Sequence, residues 1–117
     1  MHSNLKQQII DHLTQTKNFL NQSEQFNTSE LTIAQRQYKE PFGMDQMTPE
    51  QWLNHIYIDY AILALSQQQY EIFANIEGFS YFFEYSWREQ THQDFTQALN
   101  LIREYEQLVI TFLKQQQ

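Results

Sequence analysis

The sequence contains no cysteine, only two glycines and two prolines, and seven basic residues against fourteen acidic ones. Without cysteine there are no disulfides, thiolate metal ligands or cysteine nucleophiles, which fits a reducing compartment. A sandwich of short β-strands needs turn residues every ten positions or so, and this chain cannot supply them. The same shortage excludes glycine-rich phosphate loops and dinucleotide turns. No apolar run approaches a bilayer span, since the longest, around Ile56 to Leu65, is broken by Asp59. The opening residues, Met1 to Gln8, read as a polar-studded helix rather than the apolar core of a signal peptide. A cytoplasmic protein without membrane contact is therefore expected.

The formal net charge of −7 makes the chain a poor ligand for a phosphate backbone, because Lys and Arg drive that binding by displacing counterions. No direct nucleic-acid contact is expected. An acidic surface instead serves solubility, or meets a basic partner.

What is present reads as helix. At 117 residues the chain is one domain's worth, 1–117, long enough to bury a core without staples. Leu5, Ile9, Ile10, Leu13, Phe19 and Leu20 form an apolar stripe that predicts a helix over 3–22, with Ser3 as its cap. Residues 23–48 change character and read as a long loop packed back on the helices through Leu31, Ile33, Tyr38, Phe42, Met44 and Met47. The sequence Thr48-Pro49-Glu50-Gln51 then combines a cap, a proline at the first helical position and a capping box. The helix it opens is central and runs to about Leu65 or Ser66. Trp52, Leu53, Ile56, Tyr57, Tyr60, Leu63 and Ala64 share its apolar face, widened by Ile58 and Ile62.

Gln67-Gln68-Gln69 marks a break, and 70–77 fits no single element. Phe79, Phe82, Phe83, Ser86 and Trp87 have helical spacing, which predicts a third helix over 79–89; the run is short enough to fit a strand as well. The last helix, capped by Thr91 with Asp94 three residues on, carries Phe95, Ala98, Leu99, Ile102, Tyr105, Val109, Phe112 and Leu113 at period 3.6. The expected architecture is all-α: an up-and-down four-helix bundle with a long packed loop between the first and second helices. The nineteen glutamines are dispersed, so they form no low-complexity tract.

Few constellations carry chemistry. His2, His12, His55 and His92 sit on different elements without the spacing that makes ligand pairs, so no metal site is expected. Asp59 and Glu84 each interrupt an apolar run and are the carboxylates expected to be partly buried; Glu104 and Glu106, two apart, face different ways. An enzyme would need Asp59, Glu84 or His55 gathered in one pocket. Aromatic rings that stack nucleic-acid bases need interleaved Lys or Arg, and residues 59–106 offer only Arg88 and Arg103 against eight acids. Those acids, Glu71, Glu77, Glu84, Glu89, Asp94, Glu104 and Glu106 among them, raise a second reading: an acidic mimic of nucleic acid that occupies a basic DNA- or RNA-binding protein.

The stretch Pro41-Phe42-x-Met44-Asp45-x-Met47-x-Pro49-x-x-Trp52-Leu53 resembles the YqcC family of small bacterial proteins, which has a similar Pro-Phe-x-Met-Asp-Thr-Met segment running into a Trp-Leu helix. Gln46 replaces the family's threonine, and Asp59-Tyr60 stands where the family continues with Pro-Arg. The resemblance implies a helical bundle with no catalytic activity and no cofactor. It also implies an accessory role beside a tRNA pseudouridine synthase, because members are often encoded next to one. The expectation is thus a non-enzymatic protein-interaction domain, monomeric or weakly dimeric, whose partner is an RNA-modifying enzyme. Its partner-binding residues would be Tyr38, Phe42, Met44, Asp45 and Trp52.

Overall fold

The computed structural model describes residues 4–23, 32, 48–88 and 94–116, and among them every regular element is helical. Helix α1, Leu5–Gln22, starts at Asn4, whose side chain accepts the Gln7 N–H at 3.2 Å. Ser3, the expected cap, lies outside the described residues, as does nearly all of the expected long loop.

Helix α2 covers 49–66 in three parts: α-helical Pro49–Trp52, a π turn at Leu53–Tyr57, and α-helical Ile58–Ser66. Its capping box forms as the sequence implies. Thr48 Oγ1 accepts the Gln51 N–H and Gln51 Oε1 accepts the Thr48 N–H, each at 3.1 Å. A short 3₁₀ turn, Tyr70–Phe73, occupies the ambiguous stretch. The aromatic run is helix α3, Phe79–Trp87, which excludes the strand alternative. Helix α4, Thr96–Gln115, begins later than a cap at Thr91 would place it. Asp94 Oδ1 accepts the Thr96 N–H at 3.0 Å, so the acid does the work assigned to the threonine, which lies outside the described residues.

Neighbouring helices run antiparallel. Along α1 and α2, Asn21 meets Asn54, Lys17 meets Asp59, and Lys6 lies over the Tyr70 ring just beyond α2. Between α2 and α3, Glu50 meets Trp87 and Tyr57 packs on Phe79. From α3 to α4, Ser80 meets Glu106 and Trp87 stacks on Phe95. Helix α4 closes the ring on α1, where the ring Nε2 of His12 lies 2.7 Å from the Leu101 carbonyl. This is an up-and-down four-helix bundle.

The core joins an aliphatic half to an aromatic one. Ile9, Leu13, Leu20, Ile58, Leu65, Ile102 and Val109 are buried from α1, α2 and α4, while Phe79, Phe83, Trp87, Phe95 and Tyr105 fill the α3–α4 side. One part of the expected pattern is corrected. Tyr60 and Leu63 leave the apolar face of α2 and are 56 % and 51 % exposed. Asn54 turns inward instead and is fully buried.

The end of α2 carries a local cost. The N–H of Gln69 reaches the Ala64 carbonyl at 2.9 Å and that of Gln68 reaches the Leu65 carbonyl at 3.4 Å, which is a Schellman termination. That geometry puts Gln68 at φ 59°, the left-handed region where glycine is normally found. Gln68 is exposed, so truncating its side chain removes little buried surface. Gln68→Gly is expected to raise stability by about 1 kcal/mol, the left-handed strain removed less glycine's extra unfolded-state entropy. Thermal melting of Gln68→Gly beside Gln68→Ala tests this, and the alanine variant should show no gain.

Candidate functional site

The π turn organises the surface of α2. It is marked by the Ile58 N–H bonding the Leu53 carbonyl, five residues back. In a regular α-helix, Trp52 and Tyr60 would be separated by about 80° around the axis, because eight residues turn through about 800°. The π turn accommodates one extra residue, so those eight advance like seven, about 700°, and the two rings come within about 20° of one line. Trp52 and Tyr57 are drawn together in the same way, their ring centroids 5.1 Å apart.

A side chain from α1 secures this bulge. Lys17 Nζ donates to the Asn54 carbonyl inside the π turn at 2.8 Å and to Asp59 Oδ1 at 3.1 Å. Asn54 Nδ2 donates to Asn21 Oδ1 at 2.8 Å, while Asn54 Oδ1, also buried, finds no donor among the described residues. The bulge is thus held by polar contacts to one neighbour and by Leu53, Tyr57 and Ile58 in the core.

The outer side of the bulge forms a groove of about 310 Å³ lined by Trp52, Tyr57, Tyr60, Ile72, Asn75, Ile76 and Phe79. Trp52 is partly buried, its ring packed against Phe79, Phe82 and Phe83 at centroid distances of 6.3–6.5 Å. Tyr57 and Phe79 lie 4.7 Å apart beneath it. The Tyr57 hydroxyl points away from the groove and shares a 2.6 Å hydrogen bond with the Tyr105 hydroxyl. Burial raises both phenols well above their ordinary value. The floor of the groove is therefore carbon.

Of the residues expected to bind a partner, Trp52 lies in this groove, whereas Tyr38, Phe42, Met44 and Asp45 lie outside the described residues. Of the two carboxylates expected to be partly buried, Glu84 is so, with its carboxylate 3.5 Å from the Arg103 guanidinium, whereas Asp59 is exposed and paired with Lys17. The two belong to different helix pairs and form no common site. Among the described residues the buried carboxylate is Glu50, 3 % exposed, which accepts from Trp87 Nε1 at 3.4 Å. Its place in the first turn of α2 was legible as a helix-end charge, but its burial depends on Trp87, 37 residues on. Glu104 and Glu106 do face different ways, toward His12 and Ser80 respectively.

His12 is buried, with Nε2 donating to the Leu101 carbonyl, since a carbonyl can only accept. His55 sits on the π turn, partly buried, and His2 and His92 lie outside the described residues. Among the described residues, no three His, Asp or Glu side chains converge as metal ligands, and no helix is long and apolar enough to cross a membrane.

The described residues thus form an all-α four-helix bundle with an aromatic groove on the outer side of α2. A family model, DUF446, described as "tRNA pseudouridine synthase C", matches residues 8–108, and the chain belongs to this family. No curated protein and no solved structure matches the chain.

Two measurements probe the interior behind the groove. Lys17→Met strips the donor from the Asn54 carbonyl and the partner from Asp59, and should cost about 1–2 kcal/mol in urea unfolding. A loss under about 0.5 kcal/mol would mean that water replaces the ammonium. Tyr57→Phe and Tyr105→Phe each strand one buried hydroxyl and should cost about 1–3 kcal/mol apiece, whereas the double variant should cost clearly less than their sum. The same pair predicts alkaline sensitivity. The unfolded chain releases phenolic protons near pH 10 while the folded pair retains them, so this stability is present below pH 10 and falls as pH rises above it. The double variant should lose that part of the decline.

Proposed function

We propose that the chain is a non-enzymatic accessory domain of the YqcC-like type that binds a protein partner through the aromatic groove around Trp52. The observation that carries this reading is the groove itself, an open aromatic surface aligned by the π turn and supported from the core. Its one inner hydroxyl is turned toward Tyr105, and its floor presents neither a nucleophile nor an acid–base pair. Such a surface suits a partner's side chain better than a substrate to be transformed. Tyr and Trp, which line it, are the residue types that dominate binding energy at protein interfaces.

The family's description supplies the candidate partner: a tRNA pseudouridine synthase, with this chain acting beside it in the cytoplasm as a monomer or weak homodimer. Tyr38, Phe42, Met44 and Asp45 precede Trp52 closely in sequence and belong to the same proposed interface. The acidic-mimic reading draws less support, because several of its acids serve the fold. Glu84 pairs with Arg103, Glu106 holds the start of α3, and Asp94 holds the start of α4.

Co-expression with the host's tRNA pseudouridine synthase, followed by affinity capture, tests the proposal. Wild-type chain should retain the synthase. Tyr60→Ala and Phe42→Ala should each reduce recovery several-fold while circular dichroism and melting stay unchanged. Full recovery with both variants would remove the groove and loop as the interface. Capture that is lost at moderate salt and displaced by tRNA would favour the mimic instead.

A further inference from the structure

We propose that helix α2 has two registers and that Lys17 selects between them, through competition for one acceptor, the Asn54 carbonyl. In the observed register the Ile58 N–H reaches back five residues to the Leu53 carbonyl, and the Asn54 carbonyl takes the Lys17 ammonium at 2.8 Å. In a regular α-helix the Ile58 N–H reaches back four residues, which is Asn54. The same carbonyl therefore has a donor in either register, Lys17 Nζ in one and the Ile58 N–H in the other. While Lys17 holds it, the π turn persists. Once Lys17 is withdrawn, the helix closes on its own bonds.

Helical spacing fixes what the exchange does. Removing the π turn restores one residue's rotation, about 100°, between Pro49–Trp52 and Ile58–Ser66. Trp52 then leaves the line of Tyr60. Leu53 takes its place against Phe79, Phe82 and Phe83, one apolar side chain for another. Leu53's own core position passes to Asn54, an amide for an alkyl group, which holds the α register in reserve. The π register bears a cost as well, in Asn54 Oδ1, buried and without a donor among the described residues. Between two imperfect registers, one charge-assisted hydrogen bond from α1 tips the balance. Asp59, just beyond the turn, steadies that ammonium at 3.1 Å. A side chain on α1 thus sets whether the outer face of α2 carries an indole in line with Tyr60. The bearing of this on partner binding rests on the reading above; the register change itself does not.

NMR couplings across hydrogen bonds in the full chain read the register directly. In the wild type, the Ile58 amide nitrogen should couple to the Leu53 carbonyl carbon. In Lys17→Met it should couple to the Asn54 carbonyl carbon instead, and cross-peaks between the Trp52 and Tyr57 rings, whose centroids lie 5.1 Å apart, should be lost. Lys17→Arg, which keeps a charged donor, should retain the Leu53 coupling. Should Lys17→Met unfold, adding Asn54→Leu supplies an apolar side chain at the core position that the α register assigns to residue 54, and the coupling should again move to that residue. Coupling to Leu53 in both variants would overturn the proposal. Failure of both to fold would overturn it too, because the second register must be a folded state. A shifted register with undiminished capture of the synthase leaves the switch and removes the groove as the interface; an unshifted register with capture intact removes the switch and leaves the interface.

Discussion

The π turn at Leu53–Tyr57, marked by the Ile58 N–H on the Leu53 carbonyl, sets the register on which the aromatic groove of this bundle depends. A helix with regular 3.6-residue turns cannot keep Trp52 above Tyr60 and also place Leu53, Tyr57, Ile58 and Leu65 in the core. One π turn resolves the conflict by rotating the first turn of α2 relative to the rest. It needs support, because a widened turn gives up regular helical bonding. Lys17 supplies it from α1 through the Asn54 carbonyl, and Asn21 supplies it through the Asn54 amide. The groove on the outside of α2 and the polar contacts on its inner side are therefore two faces of one distortion.

The distribution of charge follows a similar economy. Acids outnumber bases two to one, yet most of the described ones have a structural task. Asp94 and Glu106 accept backbone N–H groups at helix starts, where the unpaired amides and the helix dipole favour negative charge. Glu84 and Asp59 tie helix pairs together at the surface, contacts of modest energy that nonetheless fix which sides of the helices meet.

The helices were legible because local physics dominates them. The capping box at Thr48, the glutamine break after Ser66 and the 3.6-residue period of α4 are short-range signals, and the structure carries all three. The π turn was not legible. Nothing in Leu53-Asn54-His55-Ile56-Tyr57 differs from an ordinary helix, and the bulge is stabilised by Lys17, distant in sequence. That gap explains the misplacement of Tyr60 and Leu63, which a straight helix would have kept on the apolar side. The burial of Glu50 and the exposure of Asp59 were hidden for the same reason, since each depends on a partner from another helix. Trp52 could be named from its place after the cap, whereas its companions Tyr57, Ile76 and Phe79 come together only through the tertiary fold.

The start of α3 bears on the order in which the molecule assembles. Gly78 provides the turn but has no side chain with which to cap, and the Ser80 N–H is taken by Glu106 from the middle of α4. Helices α1 and α2 carry their own initiation signals in Asn4 and Thr48, and α4 carries one in Asp94. Helix α3 is only nine residues long, too short to persist alone, and it borrows its first contact from a helix synthesised after it. It is the dependent member of the bundle, its start held by α4. The groove, which takes Phe79 from that same helix end, therefore exists only while α3 is held against α4.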